Sequence, residues 1–168
     1  MGKNKHFIVN TNIFDVYYNR RNIMRIYLDN CCFNRPYDDQ TQAKIHIETQ
    51  AKLEIQDCIR EGRLDLVSSY ILEAENAANP FESKRQDIQA FLDAYTKIFV
   101  SNKQDARVKD LAADIIATGL RLMDACHIAC ADIAECDVFL STDKRILKYQ
   151  STNMKILNPA RFLIEEDF

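Results

Sequence analysis

The stretch RIYLDNCCFNRPYDD, residues 25–39, decides how the chain is read. An apolar run climbs through Ile26, Tyr27 and Leu28 to one acid, Asp29, and then breaks into two cysteines, two asparagines and a proline. The run alternates only loosely and reads as a short buried strand. Three readings compete for its polar continuation: a cysteine nucleophile, a metal-binding thiol pair, or a strand that ends by presenting one carboxylate.

Outward from this stretch, strand and helix signals alternate. Residues 41–61 carry Ile47, Ala51, Ile55 and Cys58 at helical spacing with polar residues between, and Gly62 stops the helix. LDLVSS (64–69) is a second strand, YILEAENAAN a short helix ended before Pro80, and 82–96 another helix. KIFVS (97–101) is a third strand. Residues 104–118 and 121–135 read as two helices hinged near Gly119. CDVFLS (136–141) is a fourth strand, DKRILKYQ a short helix, and MKILNP (154–159) ends in a fifth strand. This alternation predicts an α/β fold, a parallel sheet of about five strands with helices on both faces.

The chain has 168 residues, which suits one domain, and its 47% hydrophobic and 28% charged content suits a globular protein. No apolar run approaches the roughly 20 residues that span a bilayer. The beginning of the chain, MGKNKHFIVNTNIFDVYYNRR, has neither the apolar core nor the cleavage site of a signal peptide, so a cytoplasmic location is expected. Residues 1–23 stand apart from the domain expected over 24–168. Phe7, Ile8, Val9, Ile13, Phe14, Tyr17 and Tyr18 in it call for burial, which suggests an arm packed on the domain or on a second subunit.

The six cysteines form no CxxC pair, which argues against zinc ribbons and thioredoxin-type motifs. Cys126, Cys130 and Cys136 sit in one apolar stretch, as small buried hydrophobes do. Cys31 and Cys32 fail as thiol nucleophiles of the tyrosine-phosphatase kind, because Arg35 follows them at too short a spacing. A haloacid-dehalogenase-type phosphatase needs a second acid two residues after the first, where this chain has Cys31. A receiver domain needs an acid pair on strand one, and a lysine after the last strand, neither of which is convincing here.

Open α/β sheets bind ligands beyond the carboxyl ends of their strands. Asp29 ends the first strand, Glu73 and Glu75 follow the second, Asp124 opens the helix before the fourth, and Asp143 follows the fourth. Acids that converge in a cleft repel one another and stay ionised only with a cation among them. Oxygen donors without an organised thiol or imidazole set favour Mg²⁺ or Mn²⁺. Such a cation activates a water and steadies charge on a phosphoryl oxygen, the two needs of phosphodiester hydrolysis. The spacing alone leaves this chemistry one option among several, since any parallel sheet places some acids at its strand ends. His127, three residues after Asp124, reads as a packed histidine bonding a backbone group rather than a ligand. Asp132 reads as solvated or structural.

Three strings sharpen the choice. IYLDNCCF resembles the first strand of the PIN-domain family, and VSSYILEAEN (67–76) its second motif, matching Ser69 and Glu75. MDACHIACADIAECDVFLSTDKRIL (123–147) is similar to the third and fourth, with Asp124 and Asp143 in the acidic positions. The resemblance spans residues 24 to about 163, with all four motifs in order. It implies a three-layer α/β/α sandwich and a metal-dependent ribonuclease, many relatives being VapC-type toxins of toxin–antitoxin pairs. It implies Asp29, Glu75, Asp124 and Asp143 as catalytic residues, with Asp29, Asp124 and Asp143 on Mg²⁺ or Mn²⁺. Asn30 stands where the family often has Thr or Ser, and Ser141 where it has Thr; both are expected to support the acids. The resemblance further implies an RNA substrate, an antitoxin partner and a homodimer. The alternative is a nucleic-acid-binding module of the same fold with a regulatory role and weak or lost catalysis.

The net charge of −3 does not advertise a nucleic-acid binder. Four acids masked by metal, however, leave the remaining surface at about +1. Arg35, Lys144, Arg145 and Lys148 flank the expected site and are the candidates for phosphate contacts.

Overall fold

The computed structural model describes residues 23–166. Among them strand and helix alternate: β1 (Met24–Leu28), α1 (Asn30–Asn34), α2 (Ala43–Arg60), β2 (Leu64–Ser69), α3 (Tyr70–Ala77), α4 (Glu82–Tyr95), β3 (Thr96–Val100), α5 (Asp105–Ile116), α6 (Leu122–Ile133), β4 (Val138–Leu140), β5 (Lys155–Leu157) and α7 (Pro159–Glu165). Short 3-10 turns lie at Arg35–Tyr37, Asn102–Gln104 and Ile146–Lys148. The sheet has the order β3-β2-β1-β4-β5, and all its pairings are parallel.

β1 is central, and Ile26, Tyr27 and Leu28 are all fully buried. A parallel strand covered on both faces carries side chains that all need burial, which is why the run does not alternate cleanly. From β1 the chain steps to β2 and β3, then crosses back over β2 and β1 to β4 and goes on to β5. Right-handed crossovers put α2 on one face and α5 and α6, which carry the return, on the other, while α3 follows the end of β2 and packs on α6. α5 packs on α6, and α7 packs on α2. The strand order therefore reverses between β1 and β4, and at such a switch point a crevice opens beyond the carboxyl ends.

The helix ends follow local chemistry. α2 stops where Gly62 takes φ +73°, a left-handed conformation in which its N–H reaches the Ile59 carbonyl and Arg63 N–H the Cys58 carbonyl. Gly119, at φ +100°, turns the chain between α5 and α6. Ser69 caps α3 by accepting the Leu72 N–H at 3.2 Å.

Three details differ from the sequence expectation. The residues after Asp29, to which the sequence signals assign no element, wind into α1, because Asp29 holds an extended N-cap backbone and the next turn drops Cys32 and Phe33 into the core. DKRILKYQ makes only a 3-10 turn. Beyond β5 an unanticipated helix, α7, starts from the Asn158 cap and Pro159 and buries Phe162 completely. The suggested arm at the start of the chain lies outside the described residues. Among the described residues no helix is long and apolar enough to cross a membrane.

Candidate active site

Pairing of Leu28 with Leu140 aligns the ends of β1 and β4, and the Asp29 N–H extends the ladder to the Leu140 carbonyl (2.9 Å). This register sets Asp29 beside Ser141, whose hydroxyl donates to Asp29 Oδ2 at 2.8 Å. The Cys31 thiol, in the first turn of α1, donates to the same oxygen at 3.0 Å and lies 3.3 Å from Ser141 Oγ. Backbone N–H groups then fix both helpers: Thr142 donates to Cys31 Sγ (3.2 Å) and Asp143 to Ser141 Oγ (3.0 Å). Asp29 is only 6% exposed, and a carboxylate so buried needs such donors.

The second arm of the site comes from β2 and α3. Ser69 starts α3, and Glu75 lies on that helix with its Oε2 accepting from His127 Nε2 at 2.8 Å. His127 projects from α6 and is 2% exposed. The hydrogen bond from His127 holds the Glu75 carboxyl below its ordinary range, against the opposing effect of burial, and the Asn30 side chain adds a further hydrogen bond. One donor atom each from Asp29, Glu75 and His127 lie within 4.8 Å of one another.

Asp124 opens α6, and its Oδ2 is buried without a hydrogen-bond partner among the described residues. Burial, and then the charges of Asp29 and Asp143, raise its carboxyl above the ordinary range. Asp143 is compensated: Arg145 donates through Nη2 to Oδ2 (2.6 Å) and through its backbone N–H to Oδ1 (2.7 Å), which lowers the Asp143 carboxyl. An orphaned carboxylate oxygen next to further acids fits a hard divalent cation held by oxygen donors, while both nitrogens of His127 are already engaged by Tyr27 and Glu75.

Among solved structures, FitAcB from Neisseria gonorrhoeae superposes with a TM-score of 0.53 over 80% of this chain and 97% of that chain, at 16% identity. The fold is PIN-like. VapBC2 from Rickettsia felis, solved with a DNA fragment from its promoter, overlaps with a TM-score of 0.47 at 13% identity, over 80% of this chain and 98% of that one. No family model and no curated protein matches the sequence.

On this PIN-like frame the sequence-derived residues separate. Asp29 and Glu75 share the cluster; Glu73, two residues earlier on α3, is not part of it. Asp124 and Asp143 stand close enough to act on each other electrostatically. Ser141 supports Asp29, and Asn30 supports Glu75. The basic candidates divide. Arg35 is drawn inward, 2.9 Å from both Glu48 and Asp38. Arg145 and Lys148 line a cleft of about 450 Å³ together with the Thr118–Leu120 turn, while Lys144 is exposed outside that lining.

Sequence reasoning missed three participants. His127 bonds two side chains, Tyr27 and Glu75, rather than a backbone group. Tyr27 reads from the sequence as one more residue of a buried strand. A tyrosine between Ile and Leu on such a strand must nevertheless find a partner for its hydroxyl, and that signal is available. Cys31 lies against Asp29, whereas Cys32 is fully buried and donates to the Leu140 carbonyl.

Proposed function

We propose that the protein is a Mg²⁺- or Mn²⁺-dependent endoribonuclease, the toxin of a toxin–antitoxin pair. The observation that carries this reading is the Asp124 oxygen, buried and without a partner among the described residues, that feels the charge of Asp29 in the Asp29–Glu75–His127 cluster at the β1/β4 switch point. A divalent cation, when bound, lowers the pKa of a water and steadies charge on a phosphoryl oxygen. Asp29 and Asp124 would hold it directly, and Asp143 through water or at a second position. Ser141 and Asn30 orient the carboxylates. Glu75, kept ionised by His127, positions the attacking water and takes its proton. Cleavage leaves a 5′-phosphate and a 3′-hydroxyl, as the motif resemblance implies.

The cleft beside Arg145 supplies the path for the RNA backbone. Arg145 bridges Asp143 and the cleft, and Lys148 lies further along it; both meet phosphates in this reading. Residues 24–168 form the nuclease domain, active as a homodimer in the cytoplasm and silenced by an antitoxin.

The test is cleavage of mixed single-stranded RNA by the full chain with Mn²⁺, with EDTA, and with Asp29→Asn or Asp124→Asn. Cleavage in Mn²⁺ that EDTA and each substitution abolish is the expected result. Activity surviving EDTA or both substitutions refutes the metal mechanism. RNA binding with no cleavage under any metal identifies a binding module instead.

A further inference from the structure

We propose that Tyr27 and His127, anchored by Ser69, are positioning residues that fix the Glu75 carboxylate at the site; the inference rests on the ribonuclease reading for its catalytic consequence. Glu75 has a long side chain, 37% exposed, which on its own would sample many rotamers. What holds it is a closed ring of hydrogen bonds. Ser69 accepts the Leu72 N–H at the start of α3 (3.2 Å). Ser69 Oγ lies 2.7 Å from the Tyr27 hydroxyl, which lies 2.8 Å from His127 Nδ1, and His127 Nε2 lies 2.8 Å from Glu75 Oε2. The ring leaves α3 at its cap, passes through β1 and α6, and returns to α3 at Glu75.

With His127 as a neutral imidazole, donors and acceptors in this ring admit one consistent direction. An ionised carboxylate only accepts, so the proton between His127 and Glu75 belongs to Nε2. Nδ1 then accepts from the Tyr27 hydroxyl, and Tyr27 oxygen accepts from Ser69. A phenol ordinarily titrates near pH ~10, so the Tyr27 hydroxyl is a protonated donor. Each hydrogen bond thus sets the orientation of the next, as outer-shell partners of metal-site residues do. The Tyr27 ring itself is locked, stacked on Phe139 at 5.3 Å and meeting the His127 ring edge-on at 5.8 Å. Ser69, Tyr27 and His127 are buried and Glu75 is not, which places the movable end of the relay at the cluster.

The experiment reads the ring first without substrate. Nitrogen–proton correlation on the metal-free full chain, with His127 assigned by its loss in His127→Gln, should show the proton on Nε2 and Nδ1 bare. Tyr27→Phe keeps the stacked ring and should mix the two tautomers. With RNA and Mn²⁺, Tyr27→Phe should lower kcat about tenfold with KM unchanged, in the range seen for outer-shell partners. His127→Gln, whose amide N–H still reaches toward Glu75, should retain about tenfold more activity than His127→Ala. Thermal unfolding accompanies each variant, so that kinetics are compared on folded protein. A His127 ring protonated on Nδ1, a wild-type kcat in Tyr27→Phe, or a His127→Gln variant no better than His127→Ala overturns the proposal. A wild type that cleaves no RNA refutes the ribonuclease reading, while the tautomer still decides the device.

Discussion

Removing Arg35 separates two roles that the sequence could not. The side chain is 17% exposed, with Nε 2.9 Å from Glu48 Oε2 and Nη1 2.9 Å from Asp38. Glu48 is 3% exposed on α2; its other oxygen accepts from Asn158, the cap of α7, at 2.7 Å and sits 3.4 Å from Lys44. The arginine therefore clasps the turn after α1 to α2, and Glu48 clasps α2 to α7. Deleting one partner of a buried ion pair costs about 3–5 kcal/mol, because the other charge is left without compensation. Lys44 and Asn158 remain on Glu48 in Arg35→Ala, which argues for the lower end, about 3 kcal/mol. At roughly 2–4 °C per kcal/mol for a domain of this size, the melting temperature should fall by roughly 6–12 °C. Circular dichroism measures this, and RNA affinity measured well below the midpoint should change less than about threefold. A shift under about 2 °C together with a tenfold loss of RNA affinity would refute the clasp and return Arg35 to the phosphate contacts.

Other substitutions probe the site itself. Asp124 has a folded-state pKa raised by burial and by Asp29 and Asp143, so the folded protein holds its proton more tightly than the unfolded chain. Its ionisation works against the fold: metal-free stability declines as pH climbs from the unfolded aspartate value of about 3.9 through the raised one. Asp124→Asn should melt a few degrees higher than wild type at pH 7 without metal, and not at pH 3; a lower midpoint at pH 7 contradicts the assignment. Ser69→Ala loses the α3 cap and leaves Tyr27 short of a donor, an expected loss of about 1–3 kcal/mol by urea unfolding. Cys31 alone among the six cysteines is partly exposed, so a maleimide should label about one thiol in the native protein and block cleavage, with all six labelled after unfolding. Prompt labelling of several thiols in the native state would count against the packing of α6. Lys148→Glu should weaken RNA binding across sequences and reduce the salt slope by about one, as loss of a phosphate contact does.

Much of the fold was legible because the local signals agree with the tertiary ones. LDLVSS is β2 to the residue, and Gly62 and Gly119 mark the turns at which their positive φ is needed. α7 escaped notice although Asn158-Pro159 is a helix start, because the strand signal of MKILNP runs into it. The position of the strand ends was legible for a different reason: a parallel sheet fixes where its carboxyl ends lie, so Asp29 meets Ser141, two residues before Asp143, once β1 and β4 are adjacent. What the sequence hides is contact between distant side chains. Nothing local to His127 announces Tyr27, one hundred residues away, or Glu75, fifty-two away. Arg35 reads as a free cation until α2 delivers a buried Glu48 against it. The paired cysteines look alike in RIYLDNCCFNRPYDD, but the start of a helix turns consecutive residues by about 100°, which sends Cys32 to the core and Cys31 to the crevice.

The four acids are not a uniform negative patch, and their differences argue where a cation is most needed. Asp29 accepts from Ser141 and Cys31, Glu75 from His127, and Asp143 from Arg145. Each of these has a donor supplied by the fold, and the carboxyls of Glu75 and Asp143 are held below their ordinary range. Among the described residues Asp124 receives no such donor at Oδ2, although it sits at the start of α6, where the helix dipole favours a charged carboxylate. Burial and two neighbouring acids outweigh that help and raise it. An ionised acid kept unsatisfied at a switch-point crevice, with Asp29 and Asp143 acting on it, costs stability that a bound cation recovers. In the ribonuclease reading that ligand is the metal, and Asp124 is the residue through which metal binding and folding stability are coupled. Added Mn²⁺ should therefore raise the wild-type melting temperature more than that of Asp124→Asn, and equal shifts in the two proteins would show that the coupling runs elsewhere.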